Sequence, residues 1–413
     1  MSRVLSAELP EFAGRRVTVA GWVHRRRTLK SVSFLIVRDR AGIIQIVSPV
    51  PGLPVEESVV EVSGLVTASA QAPGGVELTE PRITVLSEPA KAPPFALYRP
   101  EAPATLPLLL DHAPVALRHP RLRRALEISA ASVAGFRATL DGLGFTEIHT
   151  PKLVASATES GANVFPVDYF GRTAYLAQSP QFFKQMMVGV FERVYEVGPV
   201  FRAEPHDTAR HLAQYTSLDV ELGFVRDHRD VMAVLRELLA GMIESVRRSV
   251  PMELPQVPAE IPALHFTQAQ ELTGSDEPDL SPEQERRLSE WARREHGSDF
   301  LFVTGYPMVK RPFYTHPDPA RPAYSNGFDL LFRGVELVTG GQRLHRYEDY
   351  LAALAERGEP VEPYEGYLQA FAYGMPPHGG FAIGLERWTA KLAGLANVRQ
   401  AAAFPRDLHR LTP

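Results

Sequence analysis

Cysteine is absent from the 413 residues of this chain. Its absence excludes disulfides, thiolate metal sites and a cysteine nucleophile, and is typical of proteins of a reducing compartment. No run of about 18 apolar residues occurs, and the N-terminus lacks an apolar stretch of signal-peptide length, so we expect a soluble, cytoplasmic protein with no membrane partner. The net charge is only −4. Any nucleic acid must therefore be bound by local basic patches rather than by overall attraction.

The sequence also lacks a P-loop, because no GxxxxGK[ST] pattern occurs, and it has no glycine-rich phosphate loop after a first strand. Runs of strands are mixed with flanking helices, without the regular alternation of parallel α/β folds. This arrangement predicts an α+β domain built on a mainly antiparallel β-sheet flanked by helices. A nucleotide, if bound, must be held by other means.

Proline, by contrast, is abundant, with 36 residues, and it is dense just before residue 120. A chain of this length is too long for one ordinary core. A proline-rich segment stiffens the chain and interrupts regular structure, so it marks a domain boundary. We therefore predict an N-terminal domain over 1–90, a hinge over 91–120 and a larger domain over 121–413.

Between Val17 and Leu86 the chain carries five short β-rich runs separated by glycine and proline, the pattern of a small closed barrel. Phe34 and Gln45 are predicted on neighbouring strands, an aromatic ring beside an amide able to read a base edge. The run HRRR, which begins at His24, adds basic charge. Small barrels bind single strands by stacking bases on aromatic rings beside a basic groove. The alternative is that Phe34 belongs to the core and HRRR is a solvated strand end.

The stretch 200–224 alternates charged and apolar residues at both ends and is polar in the middle, which predicts a strand hairpin with a long loop. Arg202 and Glu204 stand two residues apart, as do Asp219 and Glu221 on the returning strand. Side chains two apart share a face of a strand, so these charges are predicted to point into one site. An ordinary surface hairpin is the alternative.

Two later stretches of the sequence favour a ligand-binding site over an ordinary surface hairpin. GGFAIGLERW reads as a strand that passes through Gly384 into a helix carrying Arg387. Glycine lets a ligand approach the backbone closely, and arginine binds phosphate bidentately or lies flat on a purine. FDLLFRGVELVTGGQR places Asp329 and Glu336 on strand-like segments, and two carboxylates near phosphates suit Mg²⁺.

Three stretches resemble, in order and interval, motifs 1, 2 and 3 of class II aminoacyl-tRNA synthetases. They are GFTEIHTP, FRAE through LDVE, and GGFAIGLERW. The subgroup is that of the aspartate, asparagine and lysine enzymes, and the resemblance is strongest to its archaeal-type aspartyl members. It covers nearly the whole chain, including the closing FPRDLHRLTP. It implies an N-terminal OB-fold that binds the anticodon, a class II catalytic domain, ATP and Mg²⁺, and a homodimer with Pro151 at its interface.

The resemblance also assigns the residues that bind ATP. Arg202 would hold the α-phosphate as charge grows in the transition state, while Tyr215 and Arg387 would cover the two faces of the adenine. No protein nucleophile is needed, because the substrate's own α-carboxylate attacks. Asp329 and Glu336 would hold Mg²⁺. The implied ATP-binding residues are Arg202, Glu204, His211, Tyr215, Glu336, Gly384 and Arg387, with Arg202, Glu204 and Arg387 as the catalytic ones.

Amino-acid specificity is implied by QSPQFFKQ, which resembles the aspartyl enzymes. Lys184 and Arg343 would clamp the side-chain carboxylate of aspartate, and asparaginyl enzymes usually lack that lysine. A neutral amide would leave both cations unpaired, at a cost of several kcal/mol. Glu159, on a flexible loop, and Asp219 would hold the ammonium group. The implied aspartate pocket consists of Glu159, Ser179, Gln181, Lys184, Asp219 and Arg343. The alternative for Lys184 is a solvated helix position.

Anticodon reading is implied for Phe34 and Gln45. Archaeal enzymes specific for tRNA(Asp) tend to carry tryptophan where this chain has His24 and lysine where it has Pro73. Histidine and proline resemble the enzymes that charge both tRNA(Asp) and tRNA(Asn) with aspartate, because they relax selection of the third anticodon base. The Asp-tRNA(Asn) product would then require an amidotransferase as a partner.

Four other assignments stay open. These are a synthetase specific for tRNA(Asp), an asparaginyl enzyme, a tRNA-independent asparagine synthetase built on the same catalytic domain, and a non-catalytic RNA-binding protein. Lys184 argues against the asparaginyl enzyme, and the barrel argues against the asparagine synthetase. The sequence departs from the family at Gln214, where relatives often have glutamate, and in the connection before Leu122. Acceptor-end and hinge contacts to tRNA are therefore not carried over.

Overall fold

The computed structural model describes residues 3–49, 52–101, 104–155 and 163–412. Contacts within the chain divide it into a barrel unit, Met1–Arg121, and a sheet unit, Leu122–Pro413. Each unit has its own hydrophobic core.

The barrel unit contains the predicted closed barrel, with strand order β1-β2-β3-β5-β4. Its strands are β1 Arg16–Thr28, β2 Ser33–Arg38, β3 Ile43–Ser48, β4 Val59–Ala68 and β5 Val76–Ser87. Alternate residues such as Leu35 and Val37 are fully buried inside, while Phe34 on the same strand is partly exposed. Segment 88–105 has no helix or strand among its described residues, and α1 Leu106–Asp111 and α2 Ala113–Ala116 follow.

The sheet unit is built on an eight-stranded sheet of order β12-β13-β14-β15-β16-β11-β10-β6. All neighbouring strands pair antiparallel except β6 with β10 and β12 with β13, the two outermost pairs. The mainly antiparallel α+β fold is thereby confirmed. The strands are β6 Thr146–Glu147, β10 Arg193–Phe201, β11 Gln214–Gly223, β12 Ala263–His265, β13 Phe300–Thr304, β14 Gly327–Phe332, β15 Val335–Gln342 and β16 His378–Gly384.

Helices cover this sheet. The main core includes residues of α3 and α5 together with strand residues such as Phe328 and Phe381, all of them buried. Gly135 of α3 lies so close to α5 that a Cβ atom there would come within 2.8 Å of the Met242 Cα atom. The helices are α3 Pro120–Gly142, α4 Gln181–Phe191, α5 His228–Ser249, α6 Phe266–Thr273, α7 Pro282–His296, α8 Tyr347–Arg357, α9 Glu365–Ala372 and α10 Leu385–Leu392. Among the described residues no helix has the length and apolar character to cross a membrane.

The sequence FTEIHTPKLV predicts a single strand with Pro151 near its middle, but the structure divides this segment into two short strands. These are β6, at the edge of the large sheet, and β7 Leu153–Val154, which belongs to a separate three-stranded sheet with β8 Pro166–Tyr169 and β9 Arg172–Leu176. Pro151 lies between them, exposed and outside both strands. Proline lacks the N–H that a sheet ladder needs, so the strand breaks there.

Candidate active site

The predicted hairpin is formed by β10 and β11, which pair from Arg193 with Leu222 to Phe201 with Gln214. Asp219 and Glu221 share a face of β11, and both are almost fully buried. The alternative of a solvated surface hairpin is therefore wrong. Arg202 and Glu204 follow the last residue of β10 and lie in the connecting loop rather than on the strand.

A cavity of about 320 Å³ lies beside this hairpin. It brings together residues from α4, the hairpin loop, β11, β14, β15, β16 and α10. The predicted residues that line it are Ser179, Gln181, Lys184, Arg202, Glu204, His211, Tyr215, Glu336, Arg343, Gly384 and Arg387. Asp219 and Asp329 do not line it, and each forms an ion pair with a residue that does.

Lys184 lies at one end of the cavity and is 1% exposed. Its Nζ is 3.0 Å from Asp219 Oδ1 and 3.3 Å from Glu221 Oε2, and it donates to the Phe381 carbonyl at 3.2 Å. A solvated helix position for Lys184 is therefore wrong. Transferring an ammonium group out of water is costly unless it is paired, and the two carboxylates provide that pairing.

Arg343 lies next to Lys184 and shares Glu221 with it. The Arg343 Nε donates to Glu221 Oε1 at 3.1 Å and Nη2 donates to the Gly380 carbonyl at 3.1 Å. Burial opposes ionisation of Glu221, but Arg343 and Lys184 outweigh it, so the pKa of Glu221 is below its ordinary value. The two cations, Lys184 and Arg343, and the two carboxylates, Asp219 and Glu221, form a buried charge cluster that has no net charge.

Arg343 binds its two partners, Glu221 and the Gly380 carbonyl, through Nε and Nη2. A guanidinium group has five N–H donors, and the bonds to Glu221 and Gly380 use only part of them. Arg343 also lies with its Cζ atom 5.6 Å from the centre of the Tyr314 ring, which lines the same cavity. The arrangement can therefore bind a small carboxylate through Arg343 while Glu221 and the Gly380 carbonyl keep that guanidinium in place.

The other end of the cavity is built from the hairpin loop and the start of α10. The Arg202 Cζ atom is 5.7 Å from the Tyr215 ring centre. A Cβ atom on Gly384 would lie 3.8 Å from both the Tyr215 ring and Arg387 Cβ, so glycine keeps the space between them open. Arg387 Nη1 donates to the Glu336 carbonyl at 2.7 Å. A flat ring between an aromatic and a guanidinium group fits this geometry.

The loop also places Glu204, His206 and His211 so that one ligand atom of each lies within 4.8 Å of the others. Burial and Arg387 lower the pKa of His211, so its imidazole is neutral near pH 7. Arg202 Nη1 is 3.8 Å from Glu204 Oε1. Because cations surround this group, it is better suited to polar contacts with a ligand than to a metal ion.

Asp329 and Glu336 lie on paired strands, with Asp329 opposite Thr339 in register. Arg311 Nη2 donates to both Asp329 oxygens at 3.2 Å, and Thr339 Oγ1 donates to Glu336 Oε1 at 2.9 Å. Burial raises the pKa of Asp329 to about 6; Arg311 opposes this rise and the charge of Glu336 adds to it. Two carboxylates that repel each other are stabilised by a nearby positive charge, and the guanidinium group of Arg311 provides one such charge.

The predicted anticodon residues lie on the barrel. Phe34 pairs with Val47, and Gln45 pairs with Ile36, so Phe34 and Gln45 are diagonal neighbours on the outer face of β2 and β3. Gln45 Nε2 donates to Glu77 Oε2 at 2.8 Å. Phe34 and Gln45 are partly exposed, so a core position for Phe34 is wrong.

The two remaining barrel residues lie elsewhere on this unit. Pro73 is exposed in a short turn, Pro73–Gly75, between β4 and β5. His24 is partly exposed near the end of β1. Glu159, predicted to contact the substrate ammonium group, lies outside the described residues.

The family-model comparison identifies the chain. Residues 106–408 match the family "tRNA synthetases class II (D, K and N)", and residues 17–86 match the "OB-fold nucleic acid binding domain". The chain belongs to the class II aminoacyl-tRNA synthetases. Enzymes of this class use ATP as a substrate, and the barrel is their tRNA-binding OB-fold.

Two similar proteins are both named "Aspartate--tRNA(Asp/Asn) ligase". The one from Thermus thermophilus is 48% identical over 100% of both chains. The one from Deinococcus radiodurans is 48% identical over 100% of this chain and 99% of its own. Among solved structures, the asparaginyl-tRNA synthetase of Pyrococcus horikoshii complexed with asparaginyl-adenylate matches with a TM-score of 0.92 and 31% identity, over 100% of both chains.

Glu221, predicted together with Asp219 to point into the site, links Lys184 to Arg343. Two other residues of this synthetase site, Glu386 and Arg311, were not predicted from the sequence. Glu386 lines the cavity and accepts from the Thr216 backbone N–H with both oxygens, at 3.1 and 3.0 Å. Burial raises the pKa of Glu386. Arg311 had no signal, because its partner Asp329 is 18 residues away.

Proposed function

We propose that this synthetase attaches L-aspartate to tRNA(Asp) and to tRNA(Asn). The buried charge cluster of Lys184, Asp219, Glu221 and Arg343 at one end of the cavity is the observation that carries this proposal. The names of the Thermus and Deinococcus relatives support it.

The cluster selects aspartate by charge. The side-chain carboxylate of aspartate is received by Arg343 and Lys184, and its ammonium group by Asp219 and Glu159. Ser179 and Gln181 complete the pocket. Asparagine has nearly the same shape, so only charge separates the two substrates. A site built to pair a carboxylate rejects the neutral analogue strongly, because its buried cations are left short of a partner.

The reaction proceeds in two steps. An oxygen of the substrate α-carboxylate attacks the α-phosphorus of ATP, diphosphate leaves, and aspartyl-adenylate forms. A hydroxyl of the tRNA 3′-terminal ribose then attacks the aspartyl carbonyl carbon, and AMP leaves. Catalysis consists of positioning and charge stabilisation, because no protein side chain bonds to the substrate.

ATP binds at the opposite end of the cavity from Lys184. Arg202 holds the α-phosphate, where negative charge grows in the transition state, and Arg387 reaches the γ-phosphate while covering one face of the adenine. Tyr215 stacks on the other face, next to Gly384. Glu204 and His211 contact the adenine from the hairpin loop. In their neutral form, imidazoles such as His211 can both donate and accept hydrogen bonds, as base recognition needs.

Asp329 and Glu336 would hold Mg²⁺, which would supply positive charge to the phosphates of ATP. The residues present fit this ion, because Glu336 lines the cavity and its charge acts on Asp329. Magnesium takes one or two protein carboxylates and leaves its other positions to phosphate and water. Arg311 holds Asp329 in place.

The barrel binds the anticodon, with Phe34 as a stacking platform and Gln45 as a base-edge reader. His24 and Pro73 leave the third base unselected, so tRNA(Asn) is charged along with tRNA(Asp). The resulting Asp-tRNA(Asn) is then converted by an amidotransferase. Domains 1–90 and 121–413, joined by a hinge over 91–120, carry tRNA binding and catalysis. The enzyme acts in the cytoplasm as a homodimer with Pro151 at its interface.

An asparaginyl-tRNA synthetase is the second candidate, since the asparaginyl enzyme of Pyrococcus horikoshii shares the fold at 31% identity. The fold does not separate the two activities, because both amino acids fit the same backbone. Lys184 favours the aspartyl enzyme, because its ammonium group lies beside Arg343 where a side-chain carboxylate would be received, and asparagine has no such carboxylate. A tRNA-independent asparagine synthetase has no need of the barrel, and a non-catalytic RNA-binding protein has no need of Arg202, Glu336 and Arg387.

Two assays test the proposal. ATP–diphosphate exchange with aspartate and asparagine side by side reports the amino acid, and we expect exchange with aspartate only. Charging of transcribed tRNA(Asp) and tRNA(Asn) with aspartate reports the tRNA, and we expect comparable rates. A rate for tRNA(Asn) thousands-fold below that for tRNA(Asp) would identify an enzyme specific for tRNA(Asp). Exchange with asparagine instead of aspartate would identify the second candidate.

A further inference from the structure

His24 occupies a β-bulge on the first barrel strand. In the pairing of β1 with β2, Val23 is opposite Val37 and Arg25 is opposite Ile36, so His24 is the extra residue between them. A bulge bends its strand and re-aims a side chain away from the regular alternation. The direction of His24 is therefore set by local contacts rather than by the period of the strand.

Arg38, at the end of β2, supplies the main contact. Its Nη1 lies 3.0 Å from His24 Nδ1. A guanidinium group can only donate, so Nδ1 must accept, and the proton of the neutral ring lies on Nε2. Burial and then Arg38 lower the pKa of His24, so the ring is neutral near pH 7. One tautomer is thus fixed, with an N–H donor on the ring atom opposite Arg38.

Arg38 is itself held rigidly. Its Nη1 and Nη2 donate to the two oxygens of Glu57, both at 3.1 Å, and both residues are 6% exposed. Arg118 Nη1 donates to the same carboxylate at 2.9 Å. Glu57 has a left-handed backbone with φ of 67°, and its N–H donates to the Val23 carbonyl, next to His24, at 2.7 Å. A non-glycine residue keeps such a conformation only where its surroundings impose it.

We propose that Arg38, anchored by Glu57, is the positioning residue that fixes the orientation and tautomer of His24 and so determines which third anticodon bases the barrel accepts. This inference rests on the proposed role of His24 in anticodon reading. The anticodons of tRNA(Asp) and tRNA(Asn) differ at the third base, which is cytosine in one and uracil in the other. Both bases carry an O2 carbonyl, and a fixed Nε2–H donor is complementary to both. Adenine has no such carbonyl.

The test measures the pyrimidine preference. This is kcat/KM for aspartylation of a tRNA(Asp) transcript, divided by the value for the same transcript with adenine as third anticodon base. We expect Arg38→Met and His24→Ala each to lower this preference about fivefold to tenfold, the effect of one lost hydrogen bond. The double variant is expected to lose no more than either single one, because Arg38 acts through His24. Arg38→Lys, which keeps a cationic donor group but on a single nitrogen, is expected to retain part of the preference.

Two controls distinguish a lost orientation of His24 from general damage to the fold. Arg40→Met removes an exposed arginine two residues away and is expected to leave the preference unchanged. Arg38→Met leaves Glu57 with Arg118 alone, and removing one partner of a buried pair destabilises a fold more than replacing both. The variant Arg38→Met/Glu57→Gln therefore repeats the measurement without an unpaired carboxylate. Aspartate-dependent ATP–diphosphate exchange is expected to be unchanged in the Arg38→Met, Arg38→Met/Glu57→Gln and Arg40→Met variants.

The inference is overturned if Arg38→Met lowers the preference equally in the wild-type and His24→Ala backgrounds, or if neither Arg38 variant changes it. The proposed function is tested separately, by the wild-type ratio of tRNA(Asn) to tRNA(Asp) charging. Slow charging of tRNA(Asn) by the wild-type enzyme would refute the proposal that both tRNAs are charged. The coupling between Arg38 and His24 would still be measured with the tRNA(Asp) transcripts.

Discussion

Arg343 and Glu221 form a buried ion pair in which Nε donates to Oε1 at 3.1 Å, although 122 residues separate them in the chain. Lys184 lies 3.3 Å from the other oxygen of the same carboxylate. Glu221 therefore holds together the two cations proposed to receive the aspartate side chain. It does so from behind the cavity, without lining it.

The first prediction concerns this carboxylate. Glu221→Gln leaves Lys184 and Arg343 with Asp219 alone, and we expect the free energy of unfolding to fall by about 3–5 kcal/mol, the cost of breaking a buried ion pair. Urea unfolding followed by circular dichroism measures it. Glu295→Gln, which breaks an exposed pair with Arg294, is expected to change little. Equal effects of the two variants would mean that the cluster does not stabilise the fold.

The effect of Glu221→Gln also has a predicted pH dependence. The folded pKa of Glu221 lies below its ordinary value of 4.5, so its carboxylate stabilises the fold above pH 4.5. This stabilisation is lost as the pH falls through the lower folded pKa. The stability difference between wild type and Glu221→Gln is thus expected to shrink below pH 4.5.

A second prediction concerns Lys184. Lys184→Ala removes a charge from the aspartate end of the cavity and leaves the adenine end untouched. We expect aspartate-dependent ATP–diphosphate exchange to fall by roughly a hundredfold or more in kcat/KM for aspartate, since a buried charge contact is lost. The KM for ATP should stay within a few-fold. Lys91→Ala, on the barrel unit, is the matched control. Equal losses toward both substrates would overturn the role of Lys184.

A third prediction separates the barrel from the catalytic chemistry. Phe34→Ala removes a stacking platform worth about 1–3 kcal/mol per base. We expect kcat/KM for tRNA charging to fall by the corresponding factor of about 5 to 150, while ATP–diphosphate exchange is unchanged. Leu86→Ala, an exposed apolar truncation on β5, is the control. Loss of exchange in Phe34→Ala would show that the barrel influences catalysis directly.

A fourth prediction rests on His378, which is fully buried at the start of β16. Its Nδ1 donates to the Pro376 carbonyl at 2.9 Å, and Gln185 Nε2 donates to its Nε2 at 3.0 Å. Burial lowers the pKa of His378 to about 4 from an ordinary 6.5. The fold thus holds the neutral ring, while the unfolded chain takes up a proton below pH 6.5.

The stabilisation that comes from the neutral His378 ring is therefore complete above pH 6.5, and it is lost as the pH falls toward 4. His378 is expected to account for about 3 kcal/mol of this loss, at about 1.4 kcal/mol for each pH unit. Urea unfolding of wild type and His378→Asn between pH 4.5 and 7.5 measures it, with the exposed His296→Gln as control. If His378→Asn keeps the full wild-type slope, another group is responsible.

Local patterns in the sequence predicted much of the architecture. The alternation of apolar residues such as Leu35 and Val37 predicted the barrel strands, because a strand exposes alternate residues to the core. The same period put Asp219 and Glu221 on one face. The prediction failed at Pro151, where a missing N–H divides one expected strand into two short ones.

By itself the sequence determined the three family motifs, the strand periods and the identity of the charged groups, because these depend on neighbours within a few residues. Only the tertiary structure decided which charges meet. The partners Lys184, Glu221 and Arg343 come from α4, β11 and the residue after β15, and their effect depends on joint burial. The bulge that turns His24 toward Arg38 is likewise decided by how β1 pairs with β2. Electrostatic interactions strengthen when water is excluded, and exclusion of water is a property of the packed fold rather than of any single segment.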